Sequence, residues 1–347
     1  MKLIHIQNNS ESIVRNKVTI ISFIASILVV YVHSDNMKAY SISEFSTGLA
    51  KIVYYIESFG NKFTSIAVPM FFMLSGMLFF RRFEIRKIKD KLKSRFFSVL
   101  IPYLVWASLY YLYFILVTRI PFISNLINNS EPVEISLIMY LKWLWPNSYY
   151  TLWFLKNLII FILMTPVIWA LLNNHAHGCP TGLVVLGVLI FISQFGLGNF
   201  HLPEGMIYYL IGSYIGLNCR NYLQKGSLFL SIFGLGYFFI SIGTGLAFEY
   251  ELCKIVLLIA LWYIMDLFAS ERVLPKFMFF SFFTYLAHDA LLQGIKKIML
   301  KLLGQEPVWA LVTYILVPIV VWVILVFIAS FLKNKVPKLW KIAVGGR

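Results

Sequence analysis

The chain is poor in charge. Only 13% of its 347 residues are Asp, Glu, Lys or Arg, where a soluble domain carries about 25%. Hydrophobic residues make up 60% and the mean hydropathy is +0.79. So few ions cannot cover a surface that faces water on all sides, which excludes a soluble globular protein. Cysteine is scarce too. Cys179, Cys219 and Cys253 form no C-x-x-C pair and no metal-ligand spacing, so they read as small buried or interfacial residues and no metal site is expected. Segments of roughly ten residues with alternating polarity are missing, which argues against a membrane barrel. No internal repeat, low-complexity tract or soluble catalytic appendage is visible, so the chemistry belongs in or at the bilayer. Acidic residues are half as numerous as basic ones, 15 against 30. In a soluble protein that imbalance would suggest nucleic acid. In a membrane protein it follows from retention of basic residues on the cytoplasmic side, and no nucleic-acid partner is expected.

What is present is a series of long apolar runs, at about 18–35, 63–80, 97–118, 152–171, 181–198, 205–218, 227–247, 252–269, 277–295 and 308–332. A helix needs about 20 residues to cross the hydrocarbon core. The pattern predicts an all-α fold, a polytopic membrane bundle of about ten transmembrane helices. The run 205–218 is short and carries Gly212 and Gly216. The predicted organisation is a cytoplasmic leader over 1–17, a membrane domain over 18–332 and a basic cytoplasmic tail over 333–347. The leader is followed by a run too long for a signal-peptide core, without a small-residue cleavage site, so the first span is expected to be retained. Loop charge sets the orientation. With the N-terminus inside, twenty of the thirty basic residues fall on the inner side, eight of them between Arg81 and Arg95. Both termini are expected in the cytoplasm.

Ionisable groups inside apolar runs cost about 2.5–3.5 kcal/mol on insertion scales, so each is a candidate for function. They are His33, Asp266, His288 and Asp289. His33 closes the first run, VTIISFIASILVVYVH, roughly 22 Å along the helix from its cytoplasmic entry. An imidazole there suits a general base that takes a proton from a hydroxyl and returns it. The plainer alternative is a helix-end histidine among headgroups. Asp35 can orient the ring only if the helix ends beside it. His288 falls near mid-membrane and suits either a structural hydrogen bond or chemistry. Asp289 is about 100° around the helix from it, so the two are not a ready-made pair. Ser75 and Gly76 close the second run and permit close helix approach. The block with Arg81, Arg82, Arg86, Lys91, Lys93 and Arg95 suits anionic lipid or the phosphates of a cytoplasmic cofactor. The segment 119–151 holds Trp143, Trp145, Tyr149 and Tyr150, with Trp153 just beyond. Such aromatic density fits an interfacial anchor or a platform on which a sugar stacks. Asn128-Asn129-Ser130 matches a glycosylation sequon, a common chance tripeptide.

Six stretches in order give a joint signal: ILVVYVHSD, PMFFMLSG, KSRFFSVLIPYLVW, LWFLKNL, YYLIGSYIG and FSFFTYLAHDALL. Over about residues 18–330 the chain resembles the acyltransferase-3 family of integral-membrane O-acyltransferases. The resemblance implies a ten-helix domain in a bacterial-type inner membrane. It implies transfer of an acyl group, commonly acetyl, from cytoplasmic acyl-CoA to a hydroxyl of a surface glycan or lipid-linked sugar. By the same resemblance His33 matches the family's histidine in the first span. Lys93-Ser94-Arg95 resembles its basic element near the cytoplasmic face, and Tyr285-Leu-Ala-His288 matches its late Tyr-x-x-His pattern. Ser22 is a departure, since the family usually has a basic residue eleven positions before the first histidine. The nearest basic residues are Lys17 and Arg15; either Lys17 or the 81–95 block holds the phosphates instead, or the donor chemistry is altered.

The resulting expectation is a membrane acyltransferase in which His33, His288 and Tyr285 are catalytic and Lys93, Arg95 and Ser75 meet the donor. Tyr285 or Ser75 would donate to the developing oxyanion. The rival is a transporter or exporter of a glycan or small molecule, against which stands the lack of half-to-half similarity. A lipid-binding scaffold is a third reading.

Overall fold

The computed structural model describes residues 2–121, 134–174, 180–195, 202–219, 223, 226–269 and 273–346. Among these residues all regular secondary structure is helical and no strand occurs. In chain order the helices are α1 (Lys2–Val32), α2 (Gly48–Thr64), α3 (Ala67–Phe80), α4 (Ile88–Arg95), α5 (Ile101–Arg119), α6 (Leu137–Leu144), α7 (Trp153–Leu163) and α8 (Thr165–Leu172). They continue as α9 (Thr181–Phe195), α10 (Met206–Asn218), α11 (Leu228–Thr244), α12 (Leu246–Glu249), α13 (Glu251–Ile264), α14 (Ser281–Leu303), α15 (Pro307–Lys335) and α16 (Pro337–Ala343). The sequon at Asn128, together with Cys179, Arg220, Lys225, Arg272 and Arg347, lies outside the described residues.

Four of the described stretches are long and apolar enough to cross a bilayer: Glu11–Val32, Gly48–Phe80, Ile85–Arg119 and Pro307–Lys335. A fifth arises if α7 and α8 count as one span, bent by 65°. The bend coincides with Pro166 in the first turn of α8, where the missing N–H and the pyrrolidine ring interrupt the helix ladder. Not all ten apolar runs reach spanning length. The runs at 181–198, 205–218 and 252–269 fold as helices of 15, 13 and 14 residues. The run at 277–295 begins in a 3-10 turn over Lys276–Phe280 and continues in the 23-residue α14, which carries His288, Asp289, Lys296 and Lys297. At the other end of the chain, the polar leader and the first apolar run form one continuous helix, α1.

Local sequence sets several helix ends. Ser136 caps α6 by accepting the Met139 N–H at 3.1 Å, and Ser227 caps α11 by accepting the Leu230 N–H at 3.3 Å. Gly245, at φ +75°, ends α11 in the left-handed region that glycine enters without strain.

Contacts divide the chain into two units. One comprises Met1–Ala25, Ser65–Leu92 and Ile160–Phe279. Its main packing is α3 against α10. A Cβ added to Gly76 would strike the Tyr209 carbonyl oxygen, and one on Gly212 would strike that of Met73. On Gly216 it would stand 2.5 Å from the Met77 oxygen. Backbone thus meets backbone along this seam, an approach only glycine allows. In the same unit Lys17, 1% exposed, forms an ion pair with Asp266, and its Nζ lies 4.9 Å from the centre of the Trp262 ring.

The second unit comprises Ser26–Thr64, Lys93–Ile159 and Phe280–Arg347. Here α14 packs on α15, α15 on α2, and α5 on both α6 and α16. Aromatic side chains reach backbone oxygens across these contacts: Tyr110 donates to Leu286 at 2.8 Å, Trp143 to Ala107 at 3.0 Å and Trp106 to Ala343 at 3.0 Å. Trp340 in the C-terminal segment is buried between Phe280 and Phe283, at ring separations of 5.5 and 5.3 Å.

Candidate active site

The apolar run of α1 stops at Val32, which places His33 at the helix end, where backbone carbonyls lack intrahelical partners. In the second unit three other helices bond to the turn that follows. Lys296 of α14 donates to the His33 carbonyl at 3.2 Å and to the Asp35 carbonyl at 2.6 Å. Gln293 of the same helix donates to the His33 carbonyl at 3.4 Å. Glu57 of α2, fully buried, accepts the Asn36 N–H at 2.8 Å, and the Asn36 amide donates to the Ala310 carbonyl of α15 at 3.2 Å. The turn after His33 is therefore pinned from α2, α14 and α15. Asp35 does not orient the ring: its carboxylate accepts the Met37 N–H at 2.8 Å and the Asn61 amide at 3.0 Å.

His288, completely buried on α14, lies with its ring centre 5.2 Å from that of His33, the rings tilted by 32°. Its Nδ1 is 2.7 Å from the Tyr285 carbonyl oxygen one turn earlier. A carbonyl only accepts, so Nδ1 carries the proton and Nε2 carries the lone pair. That Nε2 is buried and has no hydrogen-bond partner among the described residues. Leaving such an acceptor unmet costs about 1–3 kcal/mol, and groups of this kind gather where a ligand completes them. His33 also meets the Tyr150 ring edge-on, centre to centre 5.5 Å.

Asp289, next in sequence, points elsewhere. Its carboxylate accepts hydrogen bonds from Tyr149, from Tyr150 at 2.5 Å and from Gln293 at 3.1 Å. It bonds neither imidazole; it fixes the Tyr150 ring that walls His33. Tyr149 in turn stacks on Tyr110 at 4.1 Å. Tyr149 and Tyr150, before α7, thus border the histidine site.

The other anticipated residues are placed as follows. Tyr285 shares the unit with both histidines, but its hydroxyl donates to the Thr151 carbonyl at 2.8 Å. What Tyr285 supplies to His288 is its backbone oxygen. Ser75, half-buried in α3, belongs to the first unit. Lys93 is exposed and Arg95 half-buried at the end of α4. Lys17, one of the proposed substitutes for the missing basic residue at Ser22, is spent on Asp266 and Trp262. Arg15 and Arg81 line a cavity of about 570 Å³ with Glu11 and Leu78.

Two residues of the site escaped the sequence reading. Glu57 sits in α2, whose Lys51, Glu57, Asn61 and Lys62 broke the apolar pattern. Lys296 falls one residue past the last apolar run on α14. The available signal was register: Asp289, Gln293 and Lys296 stand at i, i+4 and i+7 on α14, one helical face.

With this geometry in view, comparison with known proteins is informative. The family model described as an acyltransferase domain, acyltransferase-3, matches residues 18–327. The chain belongs to the acyltransferase-3 family. No curated protein and no solved structure matches it. An acyltransferase-3 domain over nearly the whole chain, with apolar helices of spanning length, makes this a membrane acyltransferase. The paired imidazoles lie within the matched residues, as does the carboxylate network beside them.

Proposed function

We propose that this acyltransferase-3 protein moves an acyl group, acetyl in the first instance, from cytoplasmic acyl-CoA to a hydroxyl of a surface glycan or lipid-linked sugar. The observation that carries the reading is the contact of His33 with His288, one nitrogen of the second ring fixed by a carbonyl and the other left as a buried lone pair. An imidazole takes the acceptor's hydroxyl proton as the oxygen attacks the thioester carbonyl carbon. The new carbon–oxygen bond forms and the carbon–sulfur bond breaks. The thiolate leaves and recovers the proton from the imidazolium, so no oxidant, reductant or metal is needed. His33, less enclosed and closer to the helix end, is the base. The His288 Nε2 accepts from the His33 imidazolium and spreads its charge. The fully engaged Tyr285 hydroxyl favours Tyr285 as a residue that orients His288. Ser75 stays as a candidate donor to the thioester oxygen.

Lys93 and Arg95 are the cations for the donor's phosphates, a role in which the Arg95 guanidinium can bind bidentately. The same reading puts both termini in the cytoplasm of a cell with a bacterial-type inner membrane, and a membrane domain of about ten helices over 18–332.

The test is acyl transfer by protein in nanodiscs, with radiolabelled acetyl-CoA and envelope glycan as acceptor. His33→Ala and His288→Ala each lower kcat/KM by about 10²–10⁴-fold while eluting as monodisperse protein. Full transfer by either variant removes that histidine from the mechanism.

A further inference from the structure

Beside the histidines, within the same unit, is a cavity of about 420 Å³ lined by Tyr113, Phe114 and Val117 of α5, Tyr149 and Tyr150, and Ala290, Gln293, Gly294 and Lys297 of α14. Its volume lies within the range of about 300–1,000 Å³ typical of small-molecule sites. We propose that this cavity holds the acceptor as a single pyranose unit, with Tyr150 as the wall shared with His33. The proposal rests on the acyl-transfer reading above and adds to it the place and class of the acceptor.

Four observations carry it. First, the walls are aromatic on two sides: α5 brings Tyr113 and Phe114, and the segment before α7 brings Tyr149 and Tyr150. Flat rings of this kind match the C–H faces of a sugar. Second, α14 brings an amide and an ammonium to the lining. Gln293 and Lys297 stand four residues apart on α14 and suit hydroxyls around a ring. An acyl chain has no use for these groups, and a nucleotide's phosphates need more than one cation. Third, the space is made by a missing side chain. A Cβ added to Gly294 meets nothing within 4 Å, and the residue one turn before it is Ala290. Fourth, the cavity shares residues with the histidine site: Gln293 lines it and donates to the His33 carbonyl, and Tyr150 makes a ring contact with His33. Tyr150 also lines the cavity, donates to Asp289 at 2.5 Å and lies edge-on to His33 at 5.5 Å between ring centres.

Gly294 lines the cavity and a Cβ there meets nothing within 4 Å, so a larger residue at this position takes up cavity space. The experiment measures binding of methyl pyranosides to protein in nanodiscs by saturation-transfer NMR, without donor, and acetyl transfer to the same pyranosides in parallel. Gly294→Leu weakens pyranoside binding by about tenfold or more. Phe114→Ala weakens it through loss of the stacking face, which guards against a folding defect in the first variant. Gly236→Leu, on α11 where a Cβ also meets nothing within 4 Å, leaves binding unchanged. Equal binding by wild type and both cavity variants overturns the proposal, as does binding of hexanol in place of every pyranoside. Pyranoside binding that Gly294→Leu abolishes, in a protein that transfers no acetyl group, upholds the cavity and refutes the acyl-transfer reading instead.

Discussion

Each unit of the chain buries a carboxylate, and each meets its charge differently. In the first, Asp266 takes the Lys17 ammonium, which also faces the Trp262 ring. Cation and anion neutralise each other through one carboxylate oxygen. In the second, Asp289 takes no cation within hydrogen-bond reach among the described residues; three neutral donors, Tyr149, Tyr150 and Gln293, share its charge. The imidazoles beside it therefore keep their nitrogens, and the His288 Nε2 stays open. A buried ion pair closes a site, whereas a carboxylate held by neutral donors shapes one and leaves its neighbours reactive.

The comparison can be broken most forcefully at the ion pair. Lys17→Met strands the Asp266 carboxylate and lowers stability by about 3–5 kcal/mol. The double variant Lys17→Met/Asp266→Leu regains most of that loss and transfers acyl groups at the wild-type rate per folded molecule. Thermal unfolding followed by fluorescence-detected gel filtration reads the first part. If the single and double variants unfold together, the pair is not the closed structural element described here.

A smaller effect is expected at Lys296, whose two bonds hold the backbone of the turn that presents His33. Lys296→Met lowers kcat by about tenfold, a change of roughly 1.4 kcal/mol in the barrier, and leaves the donor KM in place. Lys296→Arg restores part of the rate because it keeps the donors. An equal rise in donor KM would assign Lys296 to binding rather than to positioning. The smallest effect belongs to the surface pair of Arg82 with Glu11, where the arginine side chain is 61% exposed. Arg82→Gln changes stability by less than about 0.5 kcal/mol, since water and salt screen such pairs. A loss matching that of Lys17→Met would erase the distinction between buried and exposed pairing.

The membrane character, the helical class and the two histidines were legible in the sequence, because hydropathy and an ion within an apolar run are local properties. The partners were not. Lys17 reads as one more cytoplasmic cation until Asp266, 249 positions later, comes to meet it. Glu57 lies in a helix whose polar residues hid its burial, and α2 went unread for the same reason. Tyr149 and Tyr150 looked like interfacial anchors because composition reports aromatic density and not where a hydroxyl points. The number of spans was read from apolar runs alone, and several of those runs fold as helices of 13–15 residues. Run length does not fix helix length: α1 and α15 continue through polar residues beyond their apolar runs, whereas α13 ends at Ile264, short of its own.

The glycine seam between α3 and α10 bears on how such a chain can vary. Every glycine codon leads, by any single-base change to another amino acid, to a residue with a Cβ. At Gly76, Gly212 and Gly216 that first atom already meets a carbonyl oxygen of the facing helix. These three positions therefore have no small first step open to them, and lineages that diverge elsewhere along the chain must carry this pair of helices forward unaltered or move both backbones together.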